Sequence, residues 1–489
     1  MNYKIVLSIL GKVLLIEALL MILPLIVSFI YANGNYLSFL IPVVCLIAVG
    51  LPLSFIKNKD GAMYAKEGFV TVALSWIVMS LVGAVPFVIS GTIPSYIDAF
   101  FETVSGFTTT GATILTEVEP LSESVQFWRL FTHWIGGMGI LVFVLAIVPG
   151  YNAGIMHVFR AESPGPNVGK LVSKLTRTAR VLYGIYFAMT ALEVILLLFG
   201  GNSFFDSLLL SFSTAGTGGF GVKNDSAASY SLYTQMVLAV FMFLFGANFN
   251  VYYLILVGSF AKAFKSEEVR IYLAIIVVAT LAIAINLISQ TASFGQAVSL
   301  AFFQVSSISS TTGLTSADFD AWPAFSQAIL MVLTIIGACG GSTGGGIKVA
   351  RLGILAKTTS MNFKRLLHPR SVNFTTFEGE VIDDETSRNV KTYIILWIVI
   401  VVLSTLILSL DFSGATVNGA YYDGLYSNFS ATLACIGNVG PGFEMVGPMM
   451  NYAFYSPFSK LLLSAVMLIG RLEIFPMLIL FTPRTWKKA

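Results

Sequence analysis

Four short loops, each carrying a glycine inside a segment too short to cross a membrane, constrain this chain more than any other feature. The segments align on Gly111, Gly219, Gly313 and Gly440. Backbone that is not helical at membrane depth persists only where it is buried in protein or lines a water-filled path. The sequence therefore predicts a fourfold internal repeat around one path through the membrane.

The composition is that of a membrane protein. Of 489 residues, 56% are hydrophobic and 11% are charged, and the mean hydropathy is +0.83; a soluble domain carries roughly 25% charged residues. A predominantly apolar run of about 20 residues is long enough to span the hydrocarbon core. Ten segments meet that test: 10–31, 37–56, 68–90, 125–148, 181–200, 232–260, 270–290, 324–357, 391–411 and 457–482.

The predicted fold is an all-α polytopic membrane protein. Two N-terminal transmembrane helices lie within residues 1–66, and four pseudo-repeats follow around one pore. Each repeat is a helix, a re-entrant pore helix with its loop, and a second helix. The predicted repeats are 67–150, 178–265, 268–358 and 388–489.

Acidic residues stand near the start of three re-entrant helices, at Asp98, Asp206 and Asp423. A carboxylate at the start of a helix favours that start through capping and the helix dipole. We therefore expect these three residues to cap their helices. Attraction of cations is the alternative.

The distribution of charge predicts the orientation, because loops rich in Lys and Arg stay on the cytoplasmic side. Most of the positive charge lies in the segments 57–66, 150–180, 261–270, 358–391 and 484–488. Apart from Arg129 at a helix end, the opposite side has essentially Lys223 alone. The four loops therefore open outward under an acidic rim that concentrates cations; an ordinary solvated surface is the alternative. The rim comprises Glu117, Glu119, Glu123, Asp225, Asp318, Asp320 and Glu444.

Four glycine loops around one axis predict a cation filter. Their carbonyl oxygens form a ring that can replace the hydration shell of a monovalent cation. Glycine permits backbone angles that side chains disfavour. The predicted filter residues are Thr109, Thr110, Gly111, Thr217, Gly218, Gly219, Thr311, Thr312, Gly313, Asn438, Val439 and Gly440.

The second span of the third repeat is too long and too rich in glycine for one helix. Residues 324–357 would extend roughly 50 Å against a core of roughly 30 Å, and each glycine in a helix costs about 1 kcal/mol. We predict that the helix breaks and that the break faces the path beneath the filter as a gate. A merely structural kink is the alternative, while a phosphate-binding loop is disfavoured because the GxxxxGK[ST] order is absent. The predicted gating loop comprises Gly340, Gly341, Ser342, Thr343, Gly344, Gly345, Gly346 and Lys348.

Arg471 falls in the middle of the last predicted span. A lone charge there costs at least about 2.5 to 3.5 kcal/mol and marks a functional position. We predict an electrostatic barrier below the filter; a structural bridge to a re-entrant acid or to carbonyls is the alternative. Glu17 and Glu193 also lie in apolar spans, and we interpret them as polar groups that pack between helices.

Nothing in the sequence predicts an enzyme or a bound cofactor. The three histidines, His133, His157 and His368, are scattered, and neither HExxH nor GxSxG occurs. We interpret His133 as a packing or interface residue. Cys45, Cys339 and Cys435 lack CxxC spacing, so we expect no disulfide and no metal site.

Four motifs together resemble the TrkH/KtrB family of potassium uptake proteins: residues 108–113, 127–139, 340–348 and 470–475. The resemblance covers the whole chain, and the two lead-in helices make it more similar to the TrkH branch. In that family the glycines that match Gly111, Gly219, Gly313 and Gly440 line a potassium filter. The resemblance further implies an intramembrane gate at the glycine-rich break and an arginine, matching Arg471, just under the filter.

The resemblance also implies partners and a location. The implied partners are a second copy of the chain, in a homodimer with one pore per subunit, cytosolic nucleotide-binding regulators of the TrkA/KtrA kind and the surrounding membrane lipid, but no nucleic acid. The implied location is the bacterial inner (plasma) membrane. We predict that 150–180 and 358–391 contact the regulator. Relatives that favour sodium often carry serine at the first filter glycine, so Gly111 points to K+. The alternative function is a secondary transporter coupled to H+ or Na+, since broken helices also occur in transporters.

Overall fold

The structure is a computed structural model that describes residues 1–56, 65–139, 175–369, 374–417 and 419–486. Parts of the predicted basic segments 57–66, 150–180, 358–391 and 484–488 lie outside these residues. Two helices, α1 (Tyr3–Ile30) and α2 (Tyr36–Ser54), form the predicted lead-in pair. They approach closely at Gly11, where an added Cβ would lie 2.5 Å from the Ser54 amide nitrogen.

The remaining elements follow the predicted repeat order. The first repeat contains α3 (Ala65–Gly83), α4 (Val85–Ile89), pore helix α5 (Tyr96–Phe107) and α6 (Glu123–Gly137). The second contains α7 (Leu175–Phe199), pore helix α8 (Phe204–Gly216), α9 (Leu232–Gly246) and α10 (Phe249–Leu256), followed by the short α11 (Phe260–Lys265). The third contains α12 (Glu267–Leu287), pore helix α13 (Phe294–Ser309), α14 (Ala324–Ile335) and α15 (Val349–Leu367).

A two-stranded antiparallel hairpin, β1 (Thr376–Phe377) and β2 (Glu380–Val381), leads into the fourth repeat. That repeat contains α16 (Asp384–Asp411), a second hairpin of β3 (Gly414–Val417) and β4 (Ala420–Asp423), pore helix α17 (Gly424–Gly437), α18 (Pro457–Arg471), α19 (Phe475–Leu480) and the short α20 (Pro483–Trp486). Short 3-10 turns occupy Ile288–Gln290, Phe319–Ala321 and Glu444–Val446.

Six helices of the described residues are long and apolar enough to cross a membrane, or seven if α9 and α10 count as one bent span. The other predicted spans are the second helices of the repeats, and none is one continuous helix. The prediction for 125–148 is wrong at its end, because α6 stops at Gly137 and residues from 140 lie outside the described part. The prediction for 232–260 is wrong because the chain bends by 91° between α9 and α10.

The prediction for 457–482 is also wrong, because α18 ends at Arg471 and helix resumes only at Phe475. Glu473 and Ile474 adopt positive φ, 58° and 68°, and two such residues in succession stop a right-handed helix. Arg471 therefore lies at a helix C-terminus and not in the middle of a span. A cation there is favoured by the helix dipole and by the carbonyls that the helix leaves without partners.

Each pore helix begins at a side chain that caps it. Ser95, Ser203 and Ser293 accept a hydrogen bond from the amide three residues later. Asp423 does the same for α17, as predicted, at 2.8 Å from the Tyr426 nitrogen. The capping prediction is wrong for Asp98 and Asp206, which instead lie in the first turn, where the dipole still favours an acid.

The pore helices and second helices close into a ring. Each pore helix packs against the second helix of the preceding repeat, in the pairs α8 with α6, α13 with α9, α17 with α14, and α5 with α18. Glycines permit this packing: an added Cβ at Gly470 would lie 2.2 Å from the Ile436 carbonyl oxygen. The last contact joins the fourth repeat to the first and leaves the loops at the ends of the pore helices facing one axis.

An ion pair strengthens this closure. The Lys460 ammonium on α18 lies 2.7 Å from the Asp98 carboxylate at the start of α5. The pore helices begin on the side onto which the four loops open, which we call the mouth side; the opposite, lysine- and arginine-rich side is the basic side. The expectation that Lys223 is essentially the only cation of the mouth side is therefore wrong, because Lys460 also lies there, neutralised by Asp98.

Asp98→Asn leaves the buried Lys460 ammonium without its carboxylate. We expect the free energy of unfolding to fall by about 2 to 3 kcal/mol, less than for a fully enclosed pair, since the Asp98 side chain keeps 26% of its surface exposed. Thermal unfolding in detergent micelles measures this as a lower Tm. Asp206→Asn, at the same position of the second repeat, is the control and should leave the Tm nearly unchanged. Equal shifts in the two variants would contradict a closing role for the pair.

Candidate ion filter and gate

The four filter loops share one backbone conformation. A left-handed residue follows each pore helix, and a glycine with φ between +83° and +94° comes two residues later. The amide between them donates to the carbonyl five residues earlier, at 2.8 to 2.9 Å in all four copies. This is the Schellman ending of a helix, which turns the chain back toward the side it came from. The left-handed residues are Thr109, Thr217, Thr311 and Asn438.

The loops form a closed ring of backbone contacts. At each filter glycine, an added Cβ would overlap a carbonyl oxygen of the next loop. The distances are 2.2 Å from Gly111 to the Gly218 oxygen, 2.1 Å from Gly219 to the Thr312 oxygen, 2.0 Å from Gly313 to the Val439 oxygen and 2.5 Å from Gly440 to the Thr110 oxygen. The twelve predicted filter residues are thus brought together, and glycine is required both by its positive φ and by this approach.

Side chains behind the ring hold neighbouring loops together. The Asn438 amide donates to Thr110 Oγ1 at 3.0 Å and joins the fourth loop to the first. His133 Nε2 accepts from the Phe220 amide at 3.2 Å, so its proton lies on Nδ1, which donates to the Gly106 carbonyl at 2.8 Å. His133 therefore packs between the first and second repeats.

A buried ion pair lies beside the first and second loops. Glu102 accepts from Arg129 Nε at 2.7 Å, from Thr113 Oγ1 at 2.8 Å and from the Ile114 amide at 3.0 Å. Arg129 also donates to the Gly221 carbonyl at 3.2 Å. The pair ties the exit of the first loop to that of the second.

Sequence reasoning missed this pair. It placed Arg129 at a helix end on the outward side and assigned it no partner, whereas the residue is 2% exposed. One signal was available: the segment 98–105 aligns with 300–307, which puts Glu102 opposite Gln304. When one pore helix carries an acid at a position where the equivalent pore helix of another repeat carries an amide, the acid indicates a local charge partner.

A vestibule of about 230 Å³ lies on the mouth side of the ring and is lined by all four filter glycines. Several predicted rim acids hold the loops around it in place; Glu119, for example, accepts from the Asn224 amide at 3.1 Å. Burial, together with the nearby carboxylates of Asp318 and Glu444, raises the pKa of Asp320 to about 7. Asp320 therefore carries only part of a negative charge at neutral pH.

The predicted break in the third repeat is present, and it is longer than the glycine-rich segment from Gly340 to Gly346. The chain leaves helical geometry at Ile336 and returns to it at Val349. Its middle lies against the ring: the Gly345 amide donates to Thr311 Oγ1 at 2.6 Å, and an added Cβ at Gly344 would lie 2.7 Å from the Ser310 carbonyl oxygen. The loop 336–348 is therefore placed directly beneath the third and fourth filter loops.

Arg471 and Lys348 stabilise the loop in this position. Arg471 donates to the Thr343 carbonyl at 2.7 Å and to the Gly136 and Gly137 carbonyls at the end of α6, at 2.5 and 2.8 Å. Lys348 donates to the carbonyls of Gly344 and Gly345. Arg471 thus bridges carbonyls of two repeats, and a cavity of about 70 Å³ lies between this bridge and the loop.

A fourfold ring of carbonyl-lined loops inside a multi-pass helical membrane protein defines a cation transport protein. The family model for TrkH cation transport proteins matches residues 37–488, and the chain belongs to this family.

Relatives match over the full length of the chain. It is 33% identical over 497 residues to the Trk system potassium uptake protein TrkH of Salmonella typhimurium, with 100% of both chains covered. The Escherichia coli TrkG protein is 29% identical over 496 residues, with 99% of each covered. The crystal structure of the potassium transporter TrkH from Vibrio parahaemolyticus superposes with a TM-score of 0.88 at 31% identity and 100% coverage of both chains.

Gly219→Ala is expected to reduce potassium-selective flux strongly, because the new Cβ would overlap the Thr312 carbonyl oxygen and force the ring to shift. Gly201→Ala is the matched control: Gly201 has a similar φ of +82°, but nothing lies within 4 Å of an added Cβ. Rubidium uptake into liposomes measures both variants. An equal loss in the two would assign the effect to backbone strain and not to the close approach in the ring.

Glu102→Gln leaves the Arg129 guanidinium without its anion. We expect a loss of about 3 to 5 kcal/mol in stability, most of which Glu102→Gln combined with Arg129→Met should restore. The double variant should still discriminate less between rubidium and sodium, since the link from Thr113 to Gly221 is lost. Gln304→Met, at the counterpart position of the third repeat, is the control. A double variant with wild-type ion preference would show that the pair does not shape the filter.

Proposed function

We propose that this chain is a gated, potassium-selective pore that takes up K+ across the plasma membrane. The observation that carries the proposal is the closed ring in which four equivalent carbonyls meet four equivalent glycines. Carbonyl rings of this kind replace the hydration shell of a cation. The names of the relatives, which are potassium uptake proteins, support K+ as the transported ion.

In this proposal the mouth side faces the outside and the basic side faces the cytosol of a bacterial inner membrane. The positive charge of the segments 261–270 and 358–391 supports this orientation. An inside-negative potential then favours entry of K+ by about 2.3 kcal/mol per charge per 100 mV. No chemical step is needed, which agrees with a transporter and not an enzyme.

The proposed gate is the loop from Gly340 to Gly346 together with Lys348. It lies under the ring, so K+ leaving the filter toward the basic side meets it first. Opening requires the loss of the bonds from Gly345 to Thr311 and from Arg471 to Thr343. The Arg471 guanidinium adds an electrostatic barrier at the same level.

We propose that the protein works as a homodimer in lipid with a cytosolic regulator of the TrkA/KtrA kind. The word "system" in the names of the relatives supports a multi-component assembly. Lys364 and Arg365 are exposed near the end of α15 on the basic side, within the proposed contact segment 358–391. Most of the other proposed contact segment, 150–180, lies outside the described residues. Residues 1–66 and the repeats 67–150, 178–265, 268–358 and 388–489 are the proposed functional units.

Coupled transport with H+ or Na+ is the competing function. One observation favours it: Glu17 and Glu193 are buried in membrane-spanning helices. No hydrogen-bond partner for the Glu17 carboxylate is present in the described part of the chain, and Glu193 lies beside the Thr214 hydroxyl. Neither residue belongs to the ring of loops.

The test is potassium and rubidium flux into liposomes under an imposed potential, with sodium as competitor. Uptake without an H+ or Na+ gradient, loss of potassium preference in Gly111→Ser and faster uptake after deletion of Gly344 to Gly346 are expected. Gly201→Ser is the control for serine at a glycine of positive φ. Uptake that vanishes without an H+ or Na+ gradient would establish coupling and direct attention to Glu17 and Glu193.

A further inference from the structure

The hairpin β1–β2 on the basic side has a turn that is unfavourable for its sequence. Its two central residues, Glu378 and Gly379, have φ of 53° and 77°. Such two-residue turns favour Asn, Asp or Gly at both positions, because the left-handed region costs free energy for other residues. A strained residue that persists points to a use for its side chain.

The Glu378 carboxylate binds the start of α12. It accepts from Ser266 Oγ and from the Glu268 amide, both at 2.8 Å. In return, the Glu267 carboxylate accepts from the Glu378 amide at 3.0 Å and pairs with the Lys357 ammonium at 2.8 Å. The hairpin and the first turn of α12 are thus held together by bonds in both directions.

The apolar side of the hairpin is fixed to the helix that follows the gating loop. Phe377 is 3% exposed and belongs to a cluster with Ala350, Ile354 and Val390. Gly353 makes room for it, since an added Cβ there would lie 2.6 Å from the Phe377 ring. The hairpin therefore contacts both α12 and α15.

Glu268, the second residue of α12, connects the hairpin and the start of α12 to the gating loop. Its carboxylate accepts from the Gly340 amide at 2.6 Å and from the Ala350 amide at 3.1 Å, so it binds the first glycine of the gating loop and the first turn of α15, which follows the loop. It also accepts from the Asn248 side chain at 3.2 Å, where α9 breaks from α10. Glu268 is 4% exposed, and neither it nor Glu378 was singled out by the sequence.

We propose that Glu378 and Glu268 are positioning residues that connect the hairpin at the basic surface to the gating loop, and that together they hold the loop closed. The proposal rests on the proposed gate. Ser266 is the N-cap of α12, and Glu378 adds an acceptor for the Ser266 hydroxyl and for the Glu268 amide. A displacement of the exposed Glu378 carboxylate removes both of these bonds, and the Glu268 side chain then loses part of the support that fixes it under Gly340. The loop is thereby freed from beneath the ring.

Glu378→Asn separates this role from a merely structural one. Asparagine suits the left-handed turn better than glutamate, so the hairpin stays folded and the Tm is unchanged or higher, while the carboxylate is lost. We expect about fivefold or greater uptake of rubidium into liposomes, unchanged selectivity over sodium, and faster hydrogen exchange in peptides covering 336–350. Glu380→Gln, on the same hairpin, is the control and should match wild type.

Glu268→Gln should raise flux and exchange in the same way, and the double variant should add little to the larger single effect, because both residues act on one element. Wild-type flux and exchange in Glu378→Asn would overturn the proposal. If deletion of Gly344 to Gly346 raises flux while the carboxylate variants do not, the gate stands and the connection is wrong. A different outcome is that hydrogen exchange rises in the carboxylate variants while flux rises in none of the variants, including the deletion. In that case the connection stands and the gate is wrong.

Discussion

The rest of this structure depends on the backbone contact between each filter glycine and a carbonyl of the next loop. Four such contacts, at 2.0 to 2.5 Å from an added Cβ, leave no room for a side chain unless the neighbouring loop shifts. The pore helices must therefore end at one level, each with the same left-handed turn. Glycines in the second helices likewise permit close backbone contact; Gly470, for example, lies against the Ile436 carbonyl.

The interrupted second helices explain why charged and loop residues lie at membrane depth. A helix that ends there leaves carbonyls that lipid cannot satisfy. Arg471 supplies donors to the end of α6, and the Cys339 amide donates to the Gly246 carbonyl at the end of α9 at 3.0 Å. The same bonds place the loop 336–348 beneath the ring. Stabilising the helix ends and placing this loop beneath the ring are thus one arrangement.

Two buried carboxylates act at different levels of the protein. Glu102 binds the exit of the first filter loop and the Arg129 that reaches the second, on the mouth side. Glu268 accepts from the Gly340 amide in the loop 336–348 and from the Ala350 amide at the start of α15, nearer the basic side. Each accepts at least three hydrogen bonds, which offsets the cost of burying the group. Each also connects segments far apart in the chain, so its partners become visible only in the folded protein.

The sequence by itself determined the membrane class, the fourfold repeat, the ring glycines and the break at Gly340 to Gly346, because hydropathy, glycine spacing and helix length are local properties. It did not show that α9 bends after Gly246 or that α18 ends at Arg471, although each has a glycine at that level. A single glycine in an apolar run does not distinguish a close helix contact from a helix end. The tertiary structure alone decided that Arg471 binds carbonyls, that Arg129 pairs with Glu102 and that Glu268 lies under Gly340, because a buried charge takes its meaning from the partners that the fold brings to it.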